Sequence, residues 1–188
     1  MCQPSCANPP PQTCSFYRSC AEAKVPCTSS GYALGFGEYF CTKFTNNIKE
    51  FSPAGQTWVY SVMTCLQKAL IPIVSCDTSC PAIEAGAIAS HEPCYVESGV
   101  CALEPEDWKA LVVVVWDKRT RAALSKMIGQ AFGTAKTCAA NSRFVKRIDE
   151  LSQEVLQAGS DVAKASAQAI LNAVEITKMF IDKVVSSP

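Results

Sequence analysis

Twelve cysteines in 188 residues constrain this chain more than any other feature of its sequence. They are Cys2, Cys6, Cys14, Cys20, Cys27, Cys41, Cys65, Cys76, Cys80, Cys94, Cys101 and Cys138. A reducing compartment would have to keep that many thiols reduced or give them to metal. An oxidising one turns an even number into cross-links. Zinc is the competing use. However, the chain holds a single histidine, His91, and no Cys-x-x-Cys pair, the spacing that tetrahedral thiolate sites usually employ. All twelve are therefore expected in disulfides, no metal or cofactor is expected, and the protein is expected to be secreted and extracellular. Met1-Cys2-Gln3-Pro4 lacks the apolar core of a secretory leader, so the sequence reads as a mature form, with the origin of Met1 open.

A chain of this length buries one sizeable core, not two ordinary ones. Lys plus Arg and Asp plus Glu are 17 each, so no positive excess exists to neutralise a phosphate backbone. Nucleic acid is not an expected partner. Hydrophobic residues make up 48%, too many for a disordered chain, while the longest apolar run, Ala110 to Trp116, is too short to cross a bilayer.

The cysteine map and the apolar spacing together predict three segments. Residues 1–13 form a Pro/Cys-rich tail, in which Pro4, Pro9, Pro10 and Pro11 favour extended backbone. Residues 14–140 form a disulfide-stapled helical domain. The spacing of Cys14, Tyr17, Arg18 and Ala21 predicts a short helix that stops before Pro26. Tyr32, Phe36, Tyr39, Phe40, Phe44, Ile48 and Phe51 share one face of a second helix. Ser52-Pro53 reads as an N-cap followed by proline at the first position of a third, which Pro72 ends or kinks. Cys80-Pro81 opens a fourth with Pro93 at its far end, and Gly99 closes the next turn. Glu104-Pro105-Glu106-Asp107 begins a fifth that continues through Trp108 to Phe132, and Val112 to Val115, the one strand-like run, is assigned to it.

Residues 141–188 carry no cysteine and form an amphipathic C-terminal segment, either one kinked helix or an antiparallel pair broken at Gly159-Ser160-Asp161. Its apolar stripe is Phe144, Ile148, Leu151, Val155, Val162, Ala169, Ala173, Ile176, Phe180 and Val184. A stripe so continuous needs a partner, either the rest of the chain or a second copy in a homo-oligomer. The fold class expected is all-α, a disulfide-stapled helical bundle with a long C-terminal amphipathic helix or helix pair.

From Tyr32 to Leu103 the sequence resembles the stanniocalcin family of secreted, cysteine-rich helical glycoprotein hormones. The resemblance rests on Gly31-Tyr32, Phe40-Cys41-Thr42-Lys43-Phe44, Phe51-Ser52-Pro53-Ala54-Gly55-Gln56 with Trp58-Val59, Cys65-Leu66, Cys94-Tyr95 and Cys101. The intervals from Cys41 to Cys65 and from Cys94 to Cys101 match the vertebrate hormones, and Cys138 falls close to a later family cysteine. Departures are a shorter interval from Cys65 to Cys76, the additional Cys80, the extra tail holding Cys2 and Cys6, no cysteine near the C-terminus and no N-glycosylation sequon. The resemblance implies a helical, disulfide-bonded, hormone-like or protease-regulating ligand.

Chemistry-bearing residues have structural readings that outweigh the catalytic ones. Ser90-His91-Glu92 invites a hydrolase reading, but nothing near it forms a nucleophile elbow, so His91 is expected to cap a helix or lie on the surface. Glu104, Glu106 and Asp107 fit neither a calcium loop nor a defined carboxylate pair; they complement a helix N-terminus. Cys76 and Cys80, like Cys2 and Cys6, are expected to join distant elements rather than each other. The aromatic row from Tyr32 to Phe51 is expected to be core, with a lipid-binding cavity as the lesser reading. Lys118, Arg119 and Arg121 read as a solvated helix face.

The chain is thus expected to be no enzyme and to act through protein–protein recognition. An extracellular self-assembling structural protein using its C-terminal helix is the alternative, and a saposin-like lipid-binding module is a further one.

Overall fold

The structure, a computed structural model, describes residues 6, 8–115, 134, 137 and 138. These residues fall into two units, one ending at Ser98 and the other beginning at Gly99. The described residues are helical with no strand.

In the first unit, helix α1 (residues 15–24) follows the tail, and its centre, Tyr17–Glu22, is π-helical. Val25, just before Pro26, still donates its N–H to the Ala21 carbonyl at 3.0 Å. Helix α2 (residues 32–46) starts with a second π segment, Ala33–Glu38, and continues as α-helix over Tyr39–Asn46. The two π segments pack against each other. Tyr17, buried, lays its ring on Gly37, where a Cβ would overlap the ring carbons. Arg18 and Glu38 close the same seam with a bidentate pair, Nε to Oε1 at 2.9 Å and Nη2 to Oε2 at 2.5 Å. Phe16, Tyr17 and Ala21 from α1 and Tyr32, Ala33 and Phe40 from α2 are buried.

The aromatic spacing predicts one helix as far as Phe51, but α2 stops at Asn46. Asn47 leaves the helical region at φ −107° and ψ 17°, and its Nδ2 donates to the Lys43 carbonyl at 2.8 Å. Asparagine terminates the helix because its side chain competes for backbone groups. A 3₁₀ turn, Ile48–Glu50, follows, and Phe51 is extended, buried and 6.1 Å from the Phe44 ring.

Helix α3, Pro53–Leu70, begins where its sequence dictates: Ser52 Oγ accepts the Gly55 N–H at 3.0 Å and Pro53 fills the first turn. Gly55, Trp58, Val59, Val62, Met63 and Leu70 form its buried stripe. Gln67 lies on the same stripe, 1% exposed, and its Nε2 donates to the Thr13 carbonyl at 2.8 Å, which pins the end of the tail. Pro72 precludes continuation, and the turn over residues 71–79 buries Val74.

Helix α4, Cys80–Glu97, is capped by Ser79, whose Oγ accepts the Ala82 N–H at 3.4 Å. Ile83, Ala87, His91 and Cys94 recur at helical spacing and turn inward, and α4 packs along α3. Pro93 does not end this helix; it lies inside it. Proline removes the bond that residue 93 would give the Ala89 carbonyl, yet residues on either side of it are pinned to their neighbours. Cys94 is bridged to Cys65 of α3, and Trp58 Nε1 donates to the Tyr95 carbonyl at 3.3 Å. Tertiary contacts thus carry the helix across its break.

The second unit starts with Gly99 at φ +94°, a left-handed conformation that glycine adopts without strain. A 3₁₀ turn, Val100–Ala102, leads to helix α5, Pro105–Val115, with Glu106 and Asp107 in its first turn. The run Val112 to Val115 is helical, as the flanking residues predict. Val100, Leu103, Asp107, Ala110, Val114, Thr134 and Cys138 are buried in this unit. The predicted continuation of α5 to Phe132 and the whole segment 141–188, with its stripe from Phe144 to Val184, lie outside the described residues.

Candidate functional site

Ten cysteines pair in five bridges whose Cα atoms stand 5.3 to 5.8 Å apart. Such separations suit a disulfide without backbone movement. Cys6–Cys20 ties the tail to α1, and Cys14–Cys41 ties the approach to α1 onto α2. Cys27–Cys80 ties the loop between α1 and α2 to the first residue of α4. Cys65–Cys94 joins α3 to α4, and Cys101–Cys138 staples the second unit. Cys76 is also disulfide-bonded, and no described cysteine is a free thiol; Cys2 lies outside the described residues. Cys80 does not pair with nearby Cys76, nor Cys94 with Cys101: each joins elements distant in sequence. Among the described residues no group of three His, Cys, Asp or Glu side chains could hold a metal ion.

His91 gathers tyrosine and phenylalanine rings around it. The sequence suggests a helix-end or surface histidine; the structure puts it in the interior, mid-helix and 7% exposed. Three rings meet its imidazole edge-on: Tyr32 and Phe36 of α2, each with centroids at 6.3 Å, and Tyr95 of α4 at 5.6 Å. Phe36 in turn packs on Phe40 at 4.6 Å, and Tyr95 on Trp58 at 5.9 Å. The spacing of Ile83, Ala87, His91 and Cys94 carries the signal for this position, since it sets His91 on the face that holds Cys94.

His91 Nδ1 lies 2.7 Å from the Ala87 carbonyl. A carbonyl only accepts, so Nδ1 carries the proton and Nε2 is left as the basic nitrogen. Burial holds the imidazole below its ordinary pKa, with the Ala87 and Ile88 carbonyls acting in the opposite direction. Tyr17, Tyr32 and Tyr95 are pushed above the usual phenol range, first by burial and in Tyr17 and Tyr32 also by neighbouring ionisable groups. At neutral pH the cluster is uncharged throughout.

Ser90 and His91 are not hydrogen-bonded to each other. Ser90 Oγ donates to the same Ala87 carbonyl at 2.7 Å rather than to His91. Ser90, His91 and Glu92 are consecutive on a helix, so their side chains point in different directions. The aromatic row predicted as core is core: Tyr32, Phe40 and Phe51 are buried and Phe36, Tyr39 and Phe44 half-buried, with Tyr32, Phe36, Phe40 and Tyr39 in one run of ring contacts and Phe44 and Phe51 in a separate pair. Glu104 is exposed before α5, Glu106 is exposed in its first turn, and Asp107 is fully buried. Lys118, Arg119, Arg121 and the ten residues expected to mediate self-association lie outside the described residues.

Two ties are not evident in the sequence, Gln67 to Thr13 and Trp58 to Tyr95. No helix among the described residues is long and apolar enough to cross a membrane. No protein-family model matches this chain, and neither a curated protein nor a solved structure shows significant similarity to it.

Proposed function

We propose that the chain is a secreted, stanniocalcin-like protein that performs no catalysis and acts by binding other proteins, as a hormone-like or protease-regulating ligand. One observation carries this reading. The single histidine is buried and neutral, with Tyr32 and Tyr95, neutral too, packed on its ring under helices stapled by disulfides, so the interior chemistry of the first unit is committed to holding its shape. Recognition then belongs to the outer surface. Bridges of this number persist in an oxidising, extracellular setting.

The test uses the oxidised full chain. Its free thiols are titrated without reductant, and it is assayed against extracellular proteases and against generic ester, peptide and glycoside substrates. Absence of titratable thiols, no turnover, and stoichiometric inhibition of a protease or saturable binding to cells support the reading. Turnover that is lost on substituting His91 overturns it.

The cysteine-free stripe from Phe144 to Val184 favours a second reading, self-assembly through the C-terminal segment. Size-exclusion of the full chain beside a truncation ending at Asn141 separates the two. Large particles from the full chain alone favour assembly.

A further inference from the structure

His91 lies where the gain of one proton bears on half a helix. Its ring is held between α2 and its own helix, and Pro93, two residues on, withholds the backbone bond that would have reached the Ala89 carbonyl. The last turns of α4 therefore depend on side-chain packing at the point where His91 sits. We propose that His91 is an acid-sensitive latch, whose protonation releases the second half of α4 from the aromatic face of α2 and from Trp58, while the Cys65–Cys94 bridge keeps the released segment tethered.

The incoming proton must go to Nε2, because Nδ1 already donates to the Ala87 carbonyl. Nε2 is the nitrogen turned away from that carbonyl. The Ala87 and Ile88 carbonyls favour the cation but are outweighed by burial, and the side chains around the ring carry no charge. Tyr32 and Phe36 face it from α2, Tyr95 from α4, and Tyr17 of α1 reaches the cluster through Tyr32 and Tyr95. Trp58 of α3 is uncharged and meets the cluster through Tyr95. The phenols stay neutral over the whole range in which a histidine titrates. Of the carboxylates on α4, Glu84 lies two turns before His91 and acts on Tyr32, and Glu92 is the next residue, turned about 100° away around the helix. Neither is among the groups that set the imidazole's proton affinity, where burial dominates.

The direction follows from linkage. Opened, His91 regains its ordinary affinity for protons; closed, it binds them less well. The opened state therefore holds more protons at any pH between the two values, and opening is favoured as pH falls below about 6.5. A single proton allows at most a roughly tenfold rise in the opening equilibrium per pH unit. The chain contains no second histidine to blur this response.

The lone histidine also makes the test direct. Its imidazole resonance is followed by NMR in the tag-free, oxidised chain from about pH 8 to about pH 4.5, a window that brackets the ordinary histidine value. Hydrogen exchange of peptides covering residues 88–97 is measured alongside, corrected for the intrinsic pH dependence of exchange. The latch predicts titration below the ordinary value and an exchange rate in this segment that climbs up to about tenfold per pH unit, with a smaller response at Val59 and Val62 of α3. H91F and H91N should lose that slope. Titration at or above the ordinary value overturns the proposal, as does the same slope in wild type and either folded variant, which would assign it to carboxylates.

Discussion

Removing the bridge between Cys27 and Cys80 is the sharpest test of how this fold is held. The bridge closes a sequence separation of 53 residues, whereas Cys6–Cys20 closes 14. Loop-closure entropy assigns about 4 kcal/mol to the first and about 3 kcal/mol to the second at 25 °C. Both cysteines of the longer bridge are half-buried, so Cys→Ala at each leaves little cavity to add to that loss. The paired variants C27A/C80A and C6A/C20A, with every other bridge intact, are unfolded in guanidinium chloride without reductant and followed by far-UV circular dichroism. C27A/C80A should lose midpoint on the order of 1 M, with a steeper denaturant slope because its unfolded chain expands further. C6A/C20A should lose less. A loss below about 1 kcal/mol for C27A/C80A, against the roughly 4 kcal/mol worked above, or a larger loss for C6A/C20A, rules out loop closure as the source of the staple's effect.

Three further substitutions probe single contacts. Gly37→Ala drives a methyl into the buried Tyr17 ring, and overpacking of about 1 to 3 kcal/mol should outweigh the roughly 1 kcal/mol of helix propensity gained, so a melting temperature at or above wild type contradicts the close seam. Pro93→Ala restores a donor to the Ala89 carbonyl and should stabilise by about 1 to 3 kcal/mol in a reversible melt; a loss would mean that the proline itself is needed at this position. Thr28, a β-branched residue at φ +64°, should accept glycine with little change or a small gain, since relief of about 1 to 2 kcal/mol of backbone strain offsets the added freedom of the unfolded chain. A loss above about 1 kcal/mol on thermal unfolding would instead make the Thr28 hydroxyl contact with Ser30 a structural requirement.

What is legible in the sequence is local. Ser52-Pro53 and Glu104-Pro105 start helices, Pro72 stops one, and Gly99 turns the chain, because each of these effects acts within a few residues of its cause. The features that escape a reading of the sequence depend on partners far along the chain. Pro93 looks like a terminus until Cys65 and Trp58 are brought beside it. The aromatic periodicity runs past Asn47 because the row of rings continues although the helix does not. Neither π segment has a sequence signature; each suits the seam in which Tyr17 meets Gly37. The number of cysteines points to a compartment, but not to which pairs form, since connectivity is decided by the fold. His91 reads as a surface residue for the same reason, its spacing from Cys94 being informative only once Cys94 is known to face α3.

The order of the bridges along the first unit has a consequence for resistance to proteolysis. The spans from Cys6 to Cys20, Cys14 to Cys41, Cys27 to Cys80 and Cys65 to Cys94 each overlap the next. Every peptide bond between Cys6 and Cys94 is therefore enclosed by at least one covalent ring. A protease that nicks the exposed turn at Pro72, Ser75 or Asp77 leaves both halves joined by at least two sulfur links, and no solitary cut anywhere in that stretch can shed a fragment. Such damage would stay invisible on a gel until a reductant was added.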